Sequence, residues 1–366
     1  MLGSGTVGDP YIIQDVNDLQ AMKDALAAYY ELGQNIDASA TVGWNGGAGF
    51  IPVGSLASPF TGSFDAEHYT ISDLFISRGL TDEVGLFGAT DGATIQKARL
   101  VNCNITGDDS VGALIGDARD GTITDCQSSG VVNGGDSYIG GLIGWMSGCT
   151  ASELSSSCTV NGNTFVGGLI GWAYQNTISQ VYATGNVTGT DDDVGGLIGV
   201  SQKNDIDDCY ARGAVVGDEY VGGLIGYSYD ATETVDNCYS TGSVTGNNHV
   251  GGLMGFSSSV VSNCFWNTET SGQATSAAGT GKTTAQMKQK ATFSGWDIAY
   301  SSTYRNNGYP FLAWEIGSSS TWLIYGLVGN GDGNGNGDGE PEPEPTPPPR
   351  VVKPSVMTLP ATGVSQ

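Results

Sequence analysis

The stretch Val166-Gly167-Gly168-Leu169-Ile170-Gly171 decides the fold, because it keeps returning. It recurs as Val111-Gly-Ala-Leu-Ile-Gly116, Ile139-Gly-Gly-Leu-Ile-Gly144, Val194-Gly-Gly-Leu-Ile-Gly199, Val221-Gly-Gly-Leu-Ile-Gly226 and Val250-Gly-Gly-Leu-Met-Gly255, after a shortened Val84-Gly-Leu-Phe-Gly88. The copies begin at 84, 111, 139, 166, 194, 221 and 250, so they are spaced by 27, 28, 27, 28, 27 and 29 residues. A fixed period of this size marks a repeat architecture, in which each unit buries its apolar face against its neighbours. Several glycines per repeat, at about 1 kcal/mol each, exclude a helical repeat. Three apolar stretches per repeat, Val166 to Trp172, Thr177 to Ala183 and Gly185 to Gly189, separated by polar or glycine-rich corners, fit one coil of a parallel β-helix. Apolar residues fall on both parities of the hexad. It is therefore read as the first strand of the coil, either bulged at its paired glycines or covered on both sides.

The totals narrow the class. Among 366 residues there are 58 glycines but no Gly-X-Y register, which excludes collagen. Acids outnumber bases 38 to 13, for a net charge of −25, which repels nucleic acid and anionic lipid. No apolar run reaches the roughly 20 residues of a membrane helix. With two histidines, His68 and His249, histidine-based metal or triad chemistry is disfavoured. Met1 leads straight into polar sequence with no signal peptide, so the chain is read as one that lacks its export signal.

Residues 1–40 read as an N-terminal cap. Pro10 to Ile13 is a strand candidate, followed by an amphipathic helix capped by Asp15, carrying Leu19, Met22, Leu26 and Tyr29 on one face and ending at Gly33. Residues 41–265 read as the solenoid, with seven repeats from about 84. Within it His68 to Ile76 is a strand interrupted near Asp73. Residues 266–328 lose the repeat and hold a short helix, Thr283 to Lys290, and an aromatic block expected to cover the other end of the core. Residues 329–366 are a Gly/Asp/Asn-rich and then Pro-rich linker, read as disordered, that contains Leu359-Pro360-Ala361-Thr362-Gly363.

Stacking places like residues above like. Cys126, Cys209, Cys238 and Cys264 share a slot with Leu154 and Val181, which makes it an apolar core slot; seven cysteines cannot all pair. Tyr182, Tyr210, Tyr239 and Phe265 form an aromatic ladder. Thr106, Asn133, Asn161, Thr188, Val216 and Thr245 form a polar column. Asp108, Asp109, Asp136, Asp191, Asp192, Asp193, Asp218 and Glu219 gather at one corner.

The seven hexads, with Gly49-Phe-Ile-Pro-Val-Gly54 and Phe60 to Asp65 before them and Tyr309 to Trp314 after, resemble the GLUG repeat family. The resemblance implies an all-β parallel β-solenoid of the kind found in bacterial surface proteins, among them adhesin-like proteins and the non-catalytic parts of IgA-specific metalloendopeptidases. The zinc motif of those peptidases, His-Glu-x-x-His, is missing, so peptidase activity does not carry over. Leu359, Pro360, Ala361, Thr362 and Gly363 are similar to the LPxTG sorting motif of sortase substrates, which implies attachment to the cell wall through Thr362. The apolar segment and basic tail that normally follow it do not follow here.

Other patterns carry less chemistry. Thr275 to Thr283 departs from a phosphate-binding loop at Ser276. Asp332 to Glu340 alternates oxygen ligands as calcium loops do, but Pro343 stands where the bidentate Glu belongs. The acidic corner reads as solvated turns, with weak calcium binding as its alternative. Only Lys97, Arg99, Arg119, Lys203 and Arg212 supply positive charge between 84 and 264, too few to line a subsite for acidic sugars. The sequence thus reads as a non-enzymatic, wall-anchored surface protein, an adhesin or stalk, with no catalytic, cofactor-binding or metal residues. Its partners are a host or glycan surface and a sortase, with no nucleic acid and no membrane insertion. The alternatives are a glycan-active β-helix enzyme and the repeat region of a larger secreted protein.

Overall fold

In the computed structural model, which describes residues 1–318 and 320–326, the chain is an all-β parallel solenoid with a few short helices. Successive coils pair in register. Ile170 lies between Ile143 and Ile198, and Val187 between Val160 and Val215. The coil containing Val166 makes five short strands. Thr164–Gly167 belongs to a five-stranded sheet, Ile170–Tyr174 to a seven-stranded sheet and Thr177–Ser179 to a ten-stranded sheet. Tyr182–Ala183 and Val187–Gly189 belong to two arms of a fifteen-stranded sheet.

The hexad is therefore not one strand. It is the corner where the chain leaves the five-stranded sheet and enters the seven-stranded one. That turn explains its apolar pattern: Val166, Leu169 and Ile170 all reach the core because the backbone bends between them. The glycines serve close approach, not positive φ, for none of the three has one. A Cβ on Gly167 would overlap the Ile170 carbonyl and stand 2.8 Å from Gly199 N. One on Gly168 would overlap Gly196 O, and one on Gly171 would lie 2.5 Å from Ile139 N. The left-handed residue is the one before the hexad. Glu83, Ser110, Tyr138, Phe165, Asp193, Tyr220 and His249 all have φ between 49° and 64°. A second left-handed column, which includes Asp125, Glu153, Gln180, Asp208, Asn237 and Asn263, splits the second apolar stretch at each core slot. A third, which includes Asp120, Gln175 and Lys203, parts the strand after the hexad from the second stretch, and each coil has five short strands where the sequence reads three.

The ends are closed differently from expectation. Asp15 does cap a helix, accepting from the N–H groups of Asn17 and Asp18, but the helix covers only Val16–Ala21 and a 3-10 turn, Met22–Asp24. Tyr29–Leu32 is a strand paired between Tyr11–Ile13 and Ser63–Asp65, with Tyr30, not Tyr29, buried. Sheet pairing at both edges outweighs helix propensity there. The break near Asp73 is present, at φ 58° between Thr70–Ser72 and Phe75–Ser77. At the other end, Ser276 accepts the N–H groups of Leu253 and Met254, so the segment resembling a phosphate loop closes the coil stack. The helix at Thr283 is present as Thr284–Met287, with a capping box from Thr283 to Gln286. The aromatic block does not cover the end. It packs on the side of the solenoid, where Trp296, Tyr309 and Trp322 close over the stacked rings of Tyr210 and Tyr239.

All seven cysteines are free and buried. Burial leads among the causes that push the Cys126 thiol up to about 12 and the Cys149 thiol up to about 11. A water-soluble disulfide reagent is expected to label none of them in the native protein and all seven in denaturant; fast labelling of native Cys126 would contradict the core assignment.

Candidate functional site

The corner residues place side chains on one outer face. Next to each hexad lies an outward position in the seven-stranded sheet, where Trp145, Trp172, Val200, Tyr227 and Phe256 stand in register. The left-handed residue before the hexad leans onto the same face. Tyr138 meets Trp145 edge-on, with centroids 4.9 Å apart and planes at 82°; Phe165 meets Trp172 at 5.1 Å and 85°. Within the columns the rings stack, Trp145 on Trp172 at 5.4 Å and Tyr227 on Phe256 at 4.7 Å. All of these aromatic rings are half-buried. The pattern was legible at the residues flanking each hexad but escaped a reading centred on the hexad itself.

The acidic corner borders this face. Asp191, Asp192 and Asp218 each bring a carboxylate oxygen within 4.8 Å of the others. Asp193, next in the chain, has a buried Oδ1 without a hydrogen-bond partner. Burial, then the charges of Asp192, Glu219 and Asp191, push its carboxyl up to about 7. Asp109 is used structurally, accepting from Ser137 N at 2.7 Å. The polar column pairs as expected, Asn133 between Thr106 and Asn161, and Asn161 Nδ2 donates to Asn133 Oδ1 at 2.9 Å. Leu359, Pro360, Ala361, Thr362 and Gly363 and the Asp332 to Glu340 loop lie outside the described residues.

A second buried polar column was not foreseen. Asn176 Oδ1 accepts Cys149 N, and Asn204 Oδ1 accepts Asn176 N, each at 2.8 Å. Glu233 takes the same place one coil on, fully buried, with Ser228 Oγ donating to Oε1 at 3.1 Å and Oε2 unpartnered. Burial lifts its pKa from 4.5 to about 7. A folded-state pKa above the unfolded value gives stability that is complete below about pH 4.5 and is lost as pH rises through about 7. Relative to Glu233→Gln, the native protein should therefore lose melting temperature between about pH 5 and pH 8. Parallel melting curves for the two would show that Glu233 carries no such penalty.

The GLUG motif matches residues 162–188 and 217–245, each of which is one full coil with its hexad. A stretch of 153 residues, 39% of this chain, is 43% identical to Halomucin of Haloquadratum walsbyi, of which it spans 2%. A stretch of 108 residues, 29% of this chain, is 32% identical to a protein of Evansella cellulosilytica named as a Gly-rich membrane protein, of which it spans 12%. The chain is thus a β-solenoid that carries the GLUG motif in two of its coils, and it covers a small share of these longer relatives.

Proposed function

We propose that this chain is a non-enzymatic extracellular surface protein, a β-solenoid stalk that presents its outer face to partners and is tethered through its C-terminal tail. The observation that carries the reading is the unbroken ladder of coils, in which apolar side chains from every coil fill the core and chemistry is left to the corners, and the similarity of part of the chain to Halomucin supports it. The short spans of the relatives that it covers favour, as a second reading, a repeat region of a larger secreted protein.

Protease applied to intact cells of the source organism should release peptides from residues 84–265; recovery of those peptides only after lysis would refute surface display. For the tether, a sortase should break the Thr362–Gly363 amide and join the Thr362 carbonyl to the amine of a labelled oligoglycine, releasing Gly363 to Gln366. Unlabelled protein, or equal labelling of Thr362→Ala, would remove the sorting motif from the proposal. Asp191, Asp192 and Asp218 bring one converging oxygen each, three of the six to eight that calcium takes. A calcium chelator should accordingly leave the melting temperature unchanged, and a drop would assign the acidic corner to calcium.

A further inference from the structure

The outer aromatic column is interrupted at one coil. Phe165 is stacked on its far side by Tyr138, at 5.2 Å and 27°, and Tyr220 by His249, at 4.7 Å and 19°. Their near sides face each other across the coil of Asp193, which the pairing of Val194 with Val166 and Val221 sets between them. Two coil spacings of about 4.8 Å separate the rings, so one rod-like or planar group beyond the short Asp193 side chain would lie within about 5 Å of both. Beside Asp193 the outward residue of the same coil is Val200, which is buried; Tyr229 reaches across that coil to Trp172, with centroids 6.3 Å apart, and donates to Gln202, so the slot is confined to the place of Asp193 between Phe165 and Tyr220.

The slot's charge is unanswered among the described residues. Among the described residues no ion pair reaches Asp191, Asp192, Asp193 or Asp218, although Oδ1 of Asp193 is buried without a partner. A carboxylate between two aromatic faces is the surrounding that an alkylammonium or guanidinium group favours, through cation–π attraction and a charge-assisted hydrogen bond. With a net charge of −25, a second copy of this chain or an anionic polymer is repelled, and a neutral sugar would leave the carboxylates uncompensated. We propose that this face binds a basic polypeptide, with an arginine or lysine side chain inserted between Phe165 and Tyr220 and its charge on Asp193. The inference rests on the surface-display reading and names the partner class for that surface.

The test is titration of the full chain into a fluorescent peptide of six Arg-Gly repeats at physiological salt, followed by anisotropy. Asp193→Asn, which keeps a residue at home in the left-handed region, and Phe165→Leu should each weaken binding about tenfold or more. Asp24→Asn, which removes one exposed charge elsewhere, should leave binding unchanged. Equal affinity of native protein, Asp193→Asn and Asp24→Asn would reduce the attraction to net charge and overturn the slot. Tighter binding of maltohexaose than of the peptide, or self-association lost in Asp193→Asn, would overturn the partner class. Circular dichroism reports whether each variant folds, and should Asp193→Asn not fold, Phe165→Leu decides. Peptide binding is measured on purified protein, so failed protease release from cells would refute surface display and leave the slot standing.

Discussion

Gly167→Ala should cost the solenoid at least about 3 kcal/mol, whereas Gly168→Ala should cost about 1 kcal/mol. Both are Gly-to-Ala changes within one hexad, so backbone entropy cannot separate them. The difference lies in what the new methyl group meets. At 167 it overlaps the carbonyl of Ile170 in its own corner and crowds Gly199 N at 2.8 Å, and both are backbone atoms fixed by sheet pairing. At 168 it meets the neighbouring coil at Gly196 O and the flank of Ala183. The chain already carries Ala113 at the second position, fully buried, so the corner has a way to accept a methyl there. The first and last glycines of the hexad are never replaced in the seven copies. Chemical denaturation followed by circular dichroism would measure the two costs. Equal losses would mean that the hexad is selected for flexibility and not for close approach.

Trp322→Ala should detach the aromatic block from the side of the solenoid without melting the coils. Trp322 is fully buried, with ring centroids 5.8 Å from Tyr239, 6.0 Å from Tyr210 and 4.7 Å from Trp296. Removing a buried indole costs about 3–5 kcal/mol. It also takes the Nε1–H donor, at 2.6 Å, from Asp208, whose carboxyl is pushed up to about 6, first by burial. The block's own sheet is small, Ile298–Ser301, Phe311–Leu312 and Trp322–Tyr325, and three short strands have little independent stability. The expected result is rapid proteolysis between 284 and 326 while the far-ultraviolet β signal persists. Loss of that signal at the same protease dose would mean that the coils depend on the block, and the lateral assignment would fail.

The period of 27 to 29 residues was enough to read the solenoid, because in-register stacking makes each coil repeat its neighbour's burial pattern. The Cys126 slot, the Tyr182 ladder and the Asn133 column were legible for the same reason: a residue's neighbour one coil away is fixed by counting. Counting did not reveal how the chain turns. The hexad's two-sided apolar pattern fits a covered strand as well as a corner, and only the pairing partners of Val166 and Ile170 distinguish them. The outer aromatic face was missed because its members come from opposite sides of the hexad, such as Phe165 and Trp172, and meet only once the corner is closed.

The sequence by itself determined the coil, its register and its buried columns, since these follow from period and side-chain type. Tertiary structure decided the rest. It put Tyr29 in a strand, laid the aromatic block against Tyr210 and Tyr239 instead of over the coil end, and set Asp193 between Phe165 and Tyr220. Each of these depends on which surface a segment meets after the chain has turned. That turn is set by left-handed residues of mixed type and by glycines whose methyl-sized space is visible only in three dimensions.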